Sequence, residues 1–229
     1  MSGEPPPVCD RPTRRLIVAM TGATGSIYGI RLLQVLRGAE VETHLVASRW
    51  GVRTLVHETP FSLDQVRSMA TRAYSDEDQG AALSSGSFLT AGMVVAPCSM
   101  RTLSAIAHGQ AETLIQRAAD VVLKERRRLV LLVREAPLSD IHLENMLKLS
   151  RMGVVISPPV PAFYQQPKTI DDLVNHTVQR VLDLFELHLD VAERWNGILA
   201  VGASATPPAP RGPARLLAVD RRPRGKRRA

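Results

Sequence analysis

An apolar run, Leu16-Ile17-Val18-Ala19-Met20, leads directly into Thr21-Gly22-Ala23-Thr24-Gly25-Ser26 and then into a helix-forming stretch, Ile27 to Arg37. A strand, a glycine turn and a helix start in that order leave the chain few ways to fold. They also make an anion site. Backbone N–H groups point outward at a helix N-terminus, and the helix dipole favours negative charge there. Gly22 and Gly25 let the backbone approach a ligand where a Cβ would clash. The unit predicts a nucleotide or phosphate-cofactor site at the start of the chain. The same run fits NAD(P) enzymes, and it fits a plain tight turn.

The alternation continues. A second strand is predicted at Val41 to Val46, interrupted by Thr43 and His44, with Ser48 and Arg49 at its carboxyl end and a helix over 49–57. Residues 60–89 are mixed, with a short helix around Leu63 to Ala70 and a polar loop from Asp76 to Ser87. Gly92 to Ala96 reads as the third strand and ends in Pro97-Cys98-Ser99. Helices follow near 101–108 and 113–126, a strand at Leu129 to Val133, a helix over 140–151, a short strand at Val154 to Ile156 and a helix over 169–187. Strands alternating with helices predict an open α/β sheet with parallel strands. Ligands of such sheets sit outside the carboxyl ends of the strands. Topology alone therefore gathers Thr21 to Ser26, Ser48, Pro97 to Thr102 and Arg134-Glu135.

The chain of 229 residues holds enough apolar sequence, 45%, for one good-sized core. Leu129 to Val133 is far too short to span a membrane, and Met1 to Pro12 is polar, with no apolar segment of a secretory signal. Cys9 and Cys98 make no disulfide framework, so a cytoplasmic setting is expected. No Cys/His spacing suits zinc. The net charge of +7 belongs entirely to residues 211–229, where Arg211, Arg215, Arg221, Arg222, Arg224, Lys226, Arg227 and Arg228 face Asp220. The remainder sums to zero and gives no sign of a nucleic-acid surface. The basic, proline-rich tail is expected to be disordered, either a solvated appendage or a segment that holds nucleic acid or acidic lipid.

Several side chains carry possible chemistry. Ser99 and Thr102 supply hydroxyls at a helix start, as a phosphate or carbonyl cradle or as an ordinary N-cap. Arg117, Asp120 and Lys124 share a helix face, which on its own reads as a solvent-exposed salt-bridged surface. Arg134-Glu135 ends a buried strand, where a charged pair needs partners. Arg134 can clamp a phosphate and Glu135 can handle a proton, or the two form a structural ion pair. Pro158-Pro159-Val160-Pro161-Ala162-Phe163-Tyr164 is a stiff segment that either walls a pocket or packs on the surface. Arg180 by itself is a surface arginine, and Trp195 is a core plug or a site lid.

Taken together, Thr21-Gly22-Ala23-Thr24-Gly25, Pro97-Cys98-Ser99, Arg117 to Glu125, Arg134-Glu135-Ala136-Pro137 and Pro161-Ala162-Phe163-Tyr164 resemble the UbiX-type flavin prenyltransferases, over about 15–196. The resemblance implies a flavodoxin-like, Rossmann-like three-layer αβα fold with a parallel sheet. It divides the chain into a flexible N-terminus (1–14), a flavoprotein domain (15–197) and the tail (198–229). Members of the family join the dimethylallyl group of dimethylallyl phosphate to reduced FMN, at N5 and C6, without a metal. The product, prenylated FMN, serves UbiD-type decarboxylases, including one in ubiquinone biosynthesis. The family forms homo-oligomers, typically dodecamers. By similarity Gly22, Ala23, Thr24, Ser48, Ser99, Met100, Arg101, Thr102 and Arg134 match flavin-binding positions. Arg117, Lys124, Arg134, Glu135, Tyr164, Arg180 and Trp195 match the prenyl-phosphate pocket, with Trp195 expected from a neighbouring subunit. Thr24, Glu58, Lys124 and Glu135 are the implied catalytic residues. Thr24 stands where the family usually has serine; it keeps the hydroxyl but adds a methyl and restricts χ1.

Other readings compete. Tyr164-Gln-Gln-Pro-Lys168 mimics the Tyr-x-x-x-Lys pair of short-chain NAD(P) oxidoreductases, but Pro161 and Pro167 forbid the helix that pair needs. An FMN-dependent decarboxylase on the same fold needs a catalytic histidine after the first helix, where His57 is the nearest, and leaves the phosphate-pocket arginines unexplained. A non-catalytic flavin carrier and a nucleic-acid binder acting through the tail complete the set.

Overall fold

The computed structural model describes residues 14–39, 41–195 and 197. Cys9, most of the expected flexible N-terminus and the tail over 198–229 lie outside the described residues. The chain divides into a unit that ends at Glu193 and a second that begins at Arg194. Within the first, six parallel strands form one sheet: β1 (Arg14–Met20), β2 (Val41–Ala47), β3 (Arg72–Ser75), β4 (Gly92–Cys98), β5 (Arg128–Val133) and β6 (Val155–Ile156). Their order is β3-β2-β1-β4-β5-β6, the doubly wound order of Rossmann-like folds. The chain leaves β1 toward one side for β2 and returns to its other side for β4, so the crevice between the loops after β1 and β4 is the switch point.

Both sheet faces are buried because every central strand is apolar at odd and even positions. Ile17, Ala19, Met93, Val95, Leu129 and Leu131 pack on one side with α4 (Met100–Ala107), α5 (Leu114–Lys124) and α6 (Asp140–Arg151). Leu16, Val18, Met20, Val94, Val130 and Leu132 pack on the other with α1 (Ser26–Arg37), α2 (Arg49–Glu58), α3 (Leu63–Arg67) and α7 (Ile170–Leu184). The result is three layers, with no described helix long and apolar enough to cross a membrane. Ser62, Ser139 and Thr169 start α3, α6 and α7 with reciprocal capping boxes, which set where those helices begin.

The region over 60–89 differs from the sequence reading. It holds the edge strand β3, where only a mixed segment was expected. Thr43 and His44 explain the difference. Both are buried in β2, and they find their partners on β3 and the residue before it. The Thr43 and Thr71 amides each donate to the other residue's hydroxyl at 3.0 Å, and His44 Nδ1 lies 3.0 Å from the Tyr74 hydroxyl. Polar residues that seemed to interrupt a strand are what fix its neighbour.

Candidate functional site

Thr21 ties the loops at the carboxyl edge of the sheet together. Its amide and its hydroxyl both donate to the Pro97 carbonyl, at 3.1 and 2.9 Å, and the hydroxyl accepts from the Ser99 amide at 2.8 Å. The Ser48 amide donates to Met20 at 2.9 Å, and the Arg134 amide to Cys98 at 3.2 Å. The loops after β1, β2, β4 and β5 are thus joined in sequence, and the convergence expected from topology is present.

The start of α1 is occupied in an unexpected way. Gly25, at φ 105°, ends the turn, and no side chain of the turn caps the helix. Glu58, at the end of α2, caps it instead: its carboxylate accepts from the Gly25 amide at 2.9 Å and from the Ser26 amide at 3.1 Å. The Thr24 hydroxyl stands near enough to the same carboxylate to favour its charged form. Desolvation alone would raise the pKa of Glu58. The hydrogen bonds from Thr24, Gly25 and Ser26 outweigh it and hold the carboxyl below its usual range. The expectation that this helix start takes a phosphate is therefore corrected for these two amides, which already serve a carboxylate.

Gly22 has a different task from the one expected of it. A Cβ there would lie 2.6 Å from the Cβ of Trp50, so its bareness lets the first turn of α2 close onto the loop. Ala23 is buried beneath the loop while Gly22 and Thr24 face outward. Ser48 caps α2 through the Gly51 amide at 3.0 Å. Ser99 caps α4 through the Thr102 amide at 3.4 Å, with the Thr102 hydroxyl 3.2 Å away. Met100 and Arg101 form the first turn of α4, with Arg101 exposed. Two helix starts, those of α2 and α4, flank the crevice and offer dipole and amides to an anion.

Arg134 and Glu135 are both exposed, because burial of β5 stops at Val133. No ion pair joins them among the described residues, so the alternative of a structural ion pair falls away, and both side chains face solvent at the edge of the crevice. Lys124 does not join them, and Arg117 is held by other partners. Arg117 donates to Asp120 at 2.8 Å and to the Ser84 carbonyl at 3.2 Å. Lys124 pairs with Glu125 beside Gly86, and Arg127 holds the carbonyls of Phe88 and Gly86 at 2.8 and 2.6 Å. Lys124 thus sits where the chain enters β4 and β5, at the amino edge of the sheet. The six residues of β5 separate that edge from Arg134, about 20 Å at strand rise.

Tyr164 lies in a 3-10 turn, Phe163–Gln165, and is 57% exposed. Its hydroxyl is 3.1 Å from His176 Nε2, and the two rings meet edge to face. Arg180, one turn further along α7, reaches Asp183 at 3.4 Å. His176 links Tyr164 to the helix of Arg180, and sequence reasoning missed it; its i, i+4 spacing from Arg180 was the available signal. Trp195 belongs to the second unit and is 53% exposed, not a core plug.

Comparison with known proteins adds to this geometry. Residues 6–182 match the Flavoprotein family. A probable UbiX-like flavin prenyltransferase of Bacillus subtilis is 58% identical over 184 residues, 80% of this chain and 90% of its own. A dodecameric FMN-dependent UbiX-like decarboxylase from Escherichia coli O157:H7 has a solved structure with 58% identity and a TM-score of 0.79, covering 80% of this chain and all of that one, 100%. A UbiX-type protein solved in complex with FMN and dimethylallyl pyrophosphate shares 54% identity with a TM-score of 0.80, covering 81% of this chain and 99% of that one.

Proposed function

Because the chain belongs to the flavin prenyltransferases, we propose that it transfers the dimethylallyl group of dimethylallyl phosphate to reduced FMN and so makes prenylated FMN for a UbiD-type decarboxylase. The observation that carries this reading is the interlocked crevice at the carboxyl edge, where Glu58 holds the Gly25 and Ser26 amides beside two anion-accepting helix starts.

The residues fit a flavin mononucleotide. The starts of α2 and α4, with Ser48, Ser99 and Thr102, suit one phosphate and a ring edge rich in carbonyls and N–H groups. Gly22, Ala23, Thr24, Met100, Arg101 and Arg134 complete that set. When bound, the reduced flavin supplies the nucleophilic ring that accepts the prenyl carbon. The bond that breaks joins the prenyl carbon to a phosphate oxygen, so charge builds on the leaving phosphate. Arg117, Lys124, Arg134 and Arg180 neutralise it without a metal, and Tyr164 donates to it. Glu135 gives the departing phosphate a proton. Glu58, ionised beforehand and beside Thr24, would take up the proton released on ring closure at the expense of the hydrogen bonds that lower its pKa. Trp195 of a neighbouring subunit closes over the prenyl group.

Lys124 lies at the opposite edge of the sheet from Arg134, so in this reading a second copy supplies it, and the homo-oligomer is part of the site. A dodecamer follows the assembly of the Escherichia coli relative. Cytoplasmic placement suits the free, buried thiol of Cys98.

The test is anaerobic incubation with reduced FMN and dimethylallyl phosphate, followed by mass spectrometry of the flavin. A gain of one C5H8 unit is expected. Unchanged flavin, beside a working relative under the same conditions, overturns the reading and leaves a flavin carrier or a decarboxylase.

A further inference from the structure

The Tyr164 hydroxyl and His176 Nε2 lie 3.1 Å apart, bridging the 3-10 turn and α7. Their rings are 5.8 Å apart between centroids and nearly perpendicular, at 86°. Arg180 stands one helical turn from His176 on the same face, close enough for its charge to act on the imidazole. Burial first, and the Arg180 charge second, press the pKa of His176 below its ordinary value, so the ring is neutral at neutral pH.

A neutral imidazole has one donor nitrogen and one acceptor. A phosphate near neutrality presents acceptors, so a hydroxyl that binds it must donate. When Nε2 carries the hydrogen, the Tyr164 oxygen accepts from it and the phenolic proton is directed elsewhere. With Nε2 as acceptor, the phenolic proton is used on the histidine.

We propose that His176 is a positioning residue for the prenyl phosphate: through Nε2–H it holds the Tyr164 hydroxyl against α7, near Arg180, with the phenolic proton directed at the phosphate. The proposal rests on the assignment of Tyr164 and Arg180 to that phosphate made above. His176 itself touches neither phosphate nor flavin. Its effect falls on substrate affinity, with the chemical step left alone.

Steady-state kinetics with dimethylallyl phosphate varied at saturating reduced FMN test this. His176→Leu is expected to raise KM about tenfold with kcat within about twofold. His176→Gln places an amide N–H where Nε2 stood and is expected to restore KM to within about twofold of the parent. In a Tyr164→Phe background, His176→Leu adds nothing further, since the partner is gone. Should leucine prevent folding, as judged by the melting curve, His176→Asn takes its place, because its amide is too short to reach the phenol. A parental KM for His176→Leu beside a raised KM for Tyr164→Phe overturns this proposal alone. A parental KM for Tyr164→Phe overturns the assignment of Tyr164 and this proposal with it. Absence of prenylated flavin from the parent enzyme is the separate failure of the functional reading.

Discussion

Glu58 makes its contribution only while it is charged. Its carboxylate closes the start of α1, and its pKa lies below the ordinary value because hydrogen bonds from Thr24, Gly25 and Ser26 outweigh desolvation. A lowered folded-state pKa stabilises the fold fully above the unfolded pKa, and that stability fades as pH falls through the folded one. Glu58→Gln is therefore expected to lose about 1 kcal/mol near neutrality, by denaturant unfolding, with the deficit shrinking under acid conditions. The same variant should slow single-turnover prenylation about 100-fold, since an amide takes up no proton, while Thr24→Ser stays close to the parent. Nothing in the spacing of Glu58 marks it. Thirty-odd residues separate it from the turn it caps, and only family resemblance singled it out. Arg134 and Glu135 show the opposite limit: the strand pattern located them, but periodicity does not tell where burial ends, and both face solvent.

Among the elements, α1 sits closer to the sheet than its apolar stripe alone requires. A Cβ on Gly29 would run into the Ala96 carbonyl oxygen, with Met20 pressing from the side. Glycine inside a helix ordinarily destabilises it, and alanine gains about 1 kcal/mol. Here the clash is with backbone, so Gly29→Ala is expected to reverse the sign and lose about 2 kcal/mol, read as a lowered melting temperature with reduced FMN binding. The helices were legible because they carry periodic apolar positions and, α1 excepted, a hydroxyl start, as α6 does with Ser139. Boundaries drifted where the signal ends: α5 stops at Lys124 and α7 at Leu184, short of the expected 126 and 187. β3 was hidden because its four residues, Arg72 to Ser75, contain no apolar run; an edge strand is held by its ladder and by Thr43 and His44.

At the level of the whole molecule, the pocket proposed above draws on residues at opposite edges of one chain's sheet, Arg134 with Glu135 at one and Lys124 at the other. Two variants test that arrangement together. Lys124→Ala and Glu135→Gln should each be nearly inactive alone. Co-assembled in equal amounts, they should regain up to about a quarter of parental activity, because some crevices then receive both native residues from different copies. Mixtures no more active than their parts, with mixed assembly verified by mass, would place both residues in a single chain's site. The parallel sheet and the crevice were foreseeable from strand–helix alternation, though the strand order was not. This split was not, because a sequence pattern gives an order of elements and not which edge a helix end reaches.

Glu58 has one more consequence. In a sheet with this strand order, the first helix start ordinarily receives the pyrophosphate of a dinucleotide. In this chain the Gly25 and Ser26 amides already hold a carboxylate. A dinucleotide entering along β1 would have to displace a negative charge from the two donors its own linkage needs. A mononucleotide with its single phosphate at another helix start meets no such rival. Any anion that takes these two amides therefore has to displace Glu58 first.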